Sequence, residues 1–310
     1  MISTVTLNPA IDRTVVVDTF EFGAVNRVQS VREDMGGKGI NVARILKSLG
    51  SDSDAIGFIG KQNFGHVRSL LERDAITTDF IEIDAATRTN TKLIELRSRT
   101  TTDINEAGFT VGPADIAAIE AKIDELSKLS QFIVFSGSMP KGLPTTFYRD
   151  LISRVQKPCL SVLDADGALL LEGLKASPAV IKPNIHELES ALGETLKSES
   201  AIVAACRKLI EQYQIVYVLV SMGGDGSILV TRDQALFAEP LPVEVRGTVG
   251  AGDSMLAGFI HCLSLNTSLE KALSWATACG ALAVSKTGTE AFSKPEVEAM
   301  ASKVVIRPTR

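Results

Sequence analysis

The chain has 310 residues, 45% of them hydrophobic and 22% charged, with a formal net charge of −5. That length and balance suit a globular protein with a sizeable core, and Lys and Arg dispersed through an acidic chain exclude a broad basic surface for nucleic acid. No run reaches the roughly 18 to 20 apolar residues that a spanning helix needs, and "MISTVTLNPAIDRT" lacks a charged stretch followed by a long apolar one, so no membrane partner and a cytoplasmic location are expected.

Read from the N-terminus, "ISTVTL" opens a series of short β-branched runs continued by "SDAIGFIG", "QFIVFSGS", "KPCLSVLDA", "AVIKPN" and "QIVYVLVS". Each predicts a buried strand. Helical periods lie between them: Val42, Ile45, Leu46 and Leu49 recur on one face, and "PADIAAIEAKIDELSKL" begins at Pro113 with its charges on the other face. The alternation predicts an α/β protein with a mostly parallel sheet covered on both sides. Two segments interrupt it. Residues 13–32 and 88–107 alternate in polarity and are rich in Thr and Val, which predicts inserted pairs of strands. They read either as a small sheet lying over a site or as an ordinary antiparallel edge. Cys159, Cys206, Cys262 and Cys279 are far apart with no CxxC pair, which points to buried thiols rather than a zinc site or disulfide frame.

Four stretches have the residue types of anion or nucleotide chemistry. In "DMGGKGINVARIL", Gly36, Gly37 and Gly39 precede a periodic helix, so free amides gather at its start with Lys38 and Asn41 nearby. The spacing is not that of a Walker loop, and no GxGxxG follows the first strand. In "KPNIHELES", Asn184 and Glu187 have the form of a capping box, with a hydrated Mg²⁺ as the functional alternative. "SMGGDGSI" reads as a hairpin turn. In "GTVGAGDSMLAGF", an apolar stripe starting at Met255 predicts a helix from Gly252 or Asp253, with glycines in the turn before it. There Asp253 is either a helix cap or a base beside a phosphate pocket. Near the C-terminus, "KALSWATACGALAVSKTG" places Ala276, Gly280 and Ala283 on one helical face, open to a neighbouring helix or a flat ring.

In this order, "NPAID", "GGKGINVA", "SGSMPKG", "KPNIHE", "VSMGGDG" and "GAGDSMLAGF" resemble the PfkB, or ribokinase-like, family of carbohydrate kinases, essentially end to end. The forms "TLNPAID", "VNRV" and "GGKG" look like its phosphosugar branch, the 1-phosphofructokinases and tagatose-6-phosphate kinases, and "TRTNTKL" with "TDINEAG" looks more like the former. The resemblance implies a ribokinase-like three-layer α/β/α sandwich with a mostly parallel central sheet (1–12, 33–87 and 108–310) and a small inserted β-sheet lid (13–32 and 88–107). It implies Mg²⁺-dependent transfer from ATP to a ketose monophosphate, fructose 1-phosphate ahead of tagatose 6-phosphate. By the same resemblance Asp253 is the general base, with the amides of Gly250, Ala251 and Gly252 around the transferring phosphoryl group. Asp12, Gly37 and Asn41 are implied to hold sugar hydroxyls. Arg27, Lys38 and Arg88 suit the substrate's phosphate, with Asn105 a further lid contact. Lys182, Asn184, Ser221, Gly223 and Gly226 are implied to line the nucleotide side, and Asn184 with Glu187 to organise Mg²⁺ through water. Gly247 stands where many members have Asp, which puts a monovalent-cation site at this loop in question. A homodimer through the lid is allowed, and a non-catalytic sugar-phosphate sensor is the rival of another class, disfavoured by the intact Asp253.

Overall fold

The computed structural model describes residues 1–286 and 288–309, leaving Thr287 and Arg310 outside the described residues. The chain opens with β1 (Ile2–Thr6), then leaves the main body for β2 (Ala10–Val17) and β3 (Ser30–Gly36). It returns through α1 (Lys38–Ser48), β4 (Ser53–Gly60), α2 (Phe64–Arg73) and β5 (Thr77–Ile83). A second excursion forms β6 (Arg88–Glu95) and β7 (Thr100–Asn105). The α/β alternation then resumes as α3 (Pro113–Leu126), β8 (Phe132–Ser136), α4 (Phe147–Ile152), β9 (Leu160–Asp164), α5 (Gly167–Leu174), β10 (Val180–Ile181), α6 (Ile185–Leu192), α7 (Glu199–Tyr213) and β11 (Tyr217–Ser221). A hairpin, β12 (Ser227–Val230) and β13 (Ala235–Ala238), precedes α8 (Ala251–Ser264), α9 (Leu269–Ser285), α10 (Lys294–Ala301) and β14 (Ile306–Pro308).

The main sheet has the order β14-β13-β12-β11-β10-β9-β8-β1-β4-β5, parallel from β5 to β11 and antiparallel beyond. Its central strands bury both faces, as a parallel sheet under two helical layers must. Side chains alternate accordingly. Ile133 and Phe135 of β8 join the core that contains Ile119 and Ile123 of α3 and Leu209 of α7. Phe132 and Val134 face the opposite core, with Leu46 of α1, Phe259 of α8 and Leu282 of α9. Full burial of each such side chain is worth about 1.5–3 kcal/mol. Helices α8 and α9 come close at Gly258, where a Cβ would lie 2.7 Å from Cys279 Sγ and 2.9 Å from the Trp275 carbonyl. A Cβ on Gly280 would sit 3.7 Å from Met255 Cβ of α8, so the small-residue face of α9 serves helix packing. All four cysteines are buried free thiols. No helix among the described residues is long and apolar enough to cross a membrane.

The two excursions join in one four-stranded sheet of order β3-β2-β6-β7. Each is an antiparallel hairpin, and the hairpins are joined by parallel pairing of β2 with β6. The strands reach further toward the main body than the alternation predicted. β2 starts at Ala10 and β3 runs to Gly36, because the ladder persists until Gly37, whose φ of 126° turns the chain into α1. "AVIKPN" gives only two strand residues, as Pro183 has no N–H to extend the ladder. Helix α8 begins at Ala251, earlier than the apolar stripe indicated, because Gly250 (φ 75°) takes the left-handed N-cap conformation that a side chain would resist.

Candidate active site

A cavity of about 490 Å³ lies at the carboxyl ends of the parallel strands, beside the small sheet. This is where open α/β sheets place ligands, because loops leave there and helices begin there. Three helix N-termini border it: α1 behind Gly37, α6 behind Asn184 and α8 behind Gly250. Their first amides lack carbonyl partners within the helix, and their dipoles favour negative charge.

Asp253 stands in the first turn of α8 and is 6% exposed. The cap position belongs to Gly250, with no side-chain capping bond, so the capping reading of Asp253 gives way. Its carboxylate accepts instead from Asn41 Nδ2 on α1, at 2.8 Å. Burial first, and then the nearby carboxylate of Asp164, push the Asp253 carboxyl up to about 6. Asn41 and the cations Lys38 and Lys182 work in the opposite direction. Asp164 ends β9 and is 1% exposed, with Lys182 Nζ 3.4 Å and Lys38 Nζ 3.5 Å from its Oδ1. Burial works against the Lys38 ammonium, but Asp164 and then Asp253 hold its pKa above the usual lysine value. Two carboxylates and two ammonium groups thus share one pocket, with Asp164, Asp253 and Lys182 nearly buried, where charges act more strongly than in bulk water.

The small sheet contributes Asp12 and Asn90, register neighbours across β2 and β6, and Asn90 Nδ2 donates to Asp12 Oδ1 at 3.1 Å. Burial raises the Asp12 pKa against that hydrogen bond. Gly36 makes room for Asp12, since a Cβ there would sit 1.9 Å from Asp12 Oδ2. Arg88 borders the cavity with its guanidinium on backbone carbonyls: Glu106 at 2.8 Å, Asn8 at 3.0 Å and Pro9 at 3.4 Å. On the far side, Asn184 and Glu187 form the expected capping box, Glu187 N to Asn184 Oδ1 at 2.9 Å and Asn184 N to Glu187 Oε2 at 2.8 Å. Ser221, bridged to Asn184, lines the same side.

Of the residues singled out in the sequence, Asp12, Gly37, Lys38, Asn41, Arg88, Lys182, Asn184, Glu187, Ser221, Gly250, Gly252 and Asp253 line this one cavity. Ala251 lies in the same turn without lining it, and Gly223 and Gly226 sit in the β11–β12 hairpin turn. Arg27 lies on the exposed 18–29 loop and Asn105 at the exposed end of β7, neither on the cavity wall. Asn8, Asn90, Ser138, Asp164 and Asp166 line it and were not singled out. For Asp164 the available signal was an acid ending a buried strand that points at this edge of the sheet.

The donors suit a cation brought by a nucleotide better than a resident one. Among the described residues no three metal-ligating side chains cluster. The capping box occupies Asn184 Oδ1 and Glu187 Oε2, one of the two carboxylate oxygens of a residue that lines the cavity. One carboxylate oxygen acting through water fits Mg²⁺, which keeps most of its water shell and takes its remaining ligands from phosphates.

A main sheet covered on both faces, with a second sheet beside the cleft at its carboxyl edge, is the ribokinase-like architecture. The pfkB family carbohydrate kinase model matches residues 5–296, and the chain belongs to that family. The Escherichia coli (strain K12) protein named 1-phosphofructokinase is 38% identical over 310 residues, covering 99% of this chain and 98% of its own. The Bacillus subtilis (strain 168) protein of the same name is 35% identical over 304 residues, covering 96% and 99%. Among solved structures, phosphofructokinase-2 from Escherichia coli in complex with potassium aligns with a TM-score of 0.90 at 27% identity, over 97% of this chain and 98% of that one.

Proposed function

We propose that the chain transfers the γ-phosphoryl group of ATP to D-fructose 1-phosphate, giving D-fructose 1,6-bisphosphate. The observation that carries the chemistry is the buried Asp253 carboxylate, held by Asn41 at the N-terminus of α8 beside Lys182 and Lys38. The substrate rests on the name 1-phosphofructokinase shared by relatives 34–38% identical over nearly their whole length.

In this reading the sugar's free primary hydroxyl attacks the γ-phosphorus, its proton passes to Asp253, and the bond to the β,γ-bridging oxygen breaks as ADP leaves. Amides of Gly250, Ala251 and Gly252 and the Lys182 ammonium meet the charge on the transferring group, which is most of what such a reaction requires. Asp12, Gly37 and Asn41 hold sugar hydroxyls. Arg88 and Lys38 take the existing phosphate, and Asn184, Ser221 and the 223–226 turn face the nucleotide. Glu187, its carboxylate fixed by the capping box with Asn184, would hold Mg²⁺ through water, and the ion would neutralise phosphate charge. The small sheet acts as a lid that keeps water from the transfer.

The test is a steady-state comparison of fructose 1-phosphate, tagatose 6-phosphate, fructose 6-phosphate and unphosphorylated sugars. The highest kcat/KM is expected for fructose 1-phosphate, and a preference for a free sugar would remove Arg88 and Lys38 from the assignment. Four buried free thiols suit a reducing compartment, and we assign the enzyme to the cytoplasm.

The small sheet and its 18–29 loop expose Phe22 (98%), Val25 (87%), Ile104 (60%), Val28, Leu96 and Val31. Exposed apolar side chains of this number favour burial against a second copy, and we propose a homodimer through this sheet. Gel filtration of Phe22→Asp/Val25→Asp is expected to show a monomer where the parent elutes as a dimer; equal elution of the two rejects it.

A further inference from the structure

Arg44 is a charged side chain in the protein interior, on the inner face of α1 and only 4% exposed. Its guanidinium donates in three directions: Nε to Asp74 Oδ2 at 2.7 Å, Nη2 to the Met35 carbonyl at 2.5 Å, and Nη1 to Asn41 Oδ1 at 2.8 Å. The other end of the same amide, Asn41 Nδ2, donates to Asp253 Oδ2. A guanidinium has donors only and an ionised carboxylate acceptors only, so an asparagine between them satisfies both in one orientation of its amide. Turned over, the amide would set NH₂ against guanidinium and oxygen against carboxylate.

We propose that Arg44 is the positioning residue that sets the Asn41 amide and, through it, the aim of the Asp253 carboxylate. The inference rests on Asp253 being the base. Its physical content is a relay of fixed orientations. Arg44 is itself held by two different elements: Met35 belongs to β3 of the small sheet, and Asp74 follows α2. Next to Met35, Asp34 binds Arg73 Nη2 at 2.7 Å and Arg32 Nε at 2.7 Å. The relay therefore joins the base to the small sheet. A planar fork can keep three acceptors in register, which a compact ammonium cannot. The other groups facing Asp253 are Asp164 at the end of β9, Lys182 after β10 and Lys38 on α1.

The deciding measurement is the acid limb of kcat/KM against pH for Arg44→Lys, with Asn41→Ala and the double variant beside it. Arg44→Lys keeps the charge and most of the stem, so a direct effect of charge on Asp253 is held constant. With the amide released, the limb is expected to move upward by about one unit, and kcat to fall about tenfold or more from misaiming of the base. Asn41→Ala is expected to move the limb the same way, and the double variant no further than Asn41→Ala alone. A parental limb in Arg44→Lys overturns the proposal, whatever its melting temperature, since a purely structural arginine would change only the latter. Additive shifts in the double variant overturn it too. Should Arg44→Lys fail to fold, Asp74→Ser decides: it frees Nε at a half-buried position, a smaller shift of the same sign is expected, and an unmoved limb overturns. Full turnover in Asp253→Asn would fail the base itself; lost turnover there with an unmoved limb in the Arg44 variant fails only the positioning.

Discussion

Asp253→Asn is expected to lower kcat by about a hundred- to ten-thousand-fold while leaving the fold and ATP binding in place. The substitution keeps the shape and the neighbours of the buried side chain, including its contact with Asn41, and removes only the ability to take a proton. Steady-state kinetics, a melting curve and calorimetric titration with ATP separate these effects. Turnover at the parental rate would mean that the proton leaves by another route. The pH dependence gives a second readout. Burial holds the Asp253 carboxyl near 6, so the fraction able to accept a proton falls as pH drops through that value. In the parent, kcat/KM should therefore rise with pH through about 6 and level off above it. The residual rate of Asp253→Asn should lack that limb.

Lys182→Met is expected to cost about a hundred- to a thousandfold in kcat, with a smaller change in sugar KM. Lys182 is 5% exposed and stands so close to the GAGD turn that a Cβ on Gly252 would lie 3.1 Å from its Nζ. In the proposed reaction that position would meet the charge on the transferring phosphoryl group. Methionine keeps the length of the stem and deletes the charge. The variant should also melt earlier, because among the described residues Asp164 then keeps the ion pair with Lys38 alone, and a buried carboxylate without enough partners is costly. A melting shift with normal kcat would make Lys182 a structural counterion and nothing more.

Much of this was legible in the amino-acid order, for physical reasons that differ from one element to the next. Buried parallel strands are mostly apolar and β-branched, so β1, β4, β8, β9 and β11 stand out without knowledge of their partners. The Asn184–Glu187 capping box is a local device, complete within four residues, and could be read as such. Contacts between distant segments left weaker marks. Asp164 is one carboxylate at a strand end, and its importance comes from two lysines that arrive from α1 and from the segment after β10. Arg44 looks like any arginine on an amphipathic helix, until Met35, Asp74 and Asn41 close round it. Arg27 shows the opposite case: its segment is legible in the order of residues, but it lies on the exposed 18–29 loop and does not line the cavity of its own chain. Sequence places a residue on a strand pair, whereas the register of the pair decides which end meets the ligand.

The parallel pairing of β2 with β6 has a mechanical consequence. Both hairpin turns fall at the far end of the small sheet, where Leu96 and Arg97 bond to the carbonyls of Val17 and Asp18. All four chain crossings between the two sheets fall at the other end, near Asn8, Gly37, Arg88 and Gly108, and the Arg88 guanidinium binds carbonyls from two of those crossings. By its chain crossings the small sheet is therefore a plate fastened along one edge, with side-chain ties from β3 (Arg32–Glu290, Glu33–His66 and Asp34–Arg73) holding one flank. Such a plate tilts about that edge more readily than it slides, and a tilt changes the width of the cleft while every strand keeps its register.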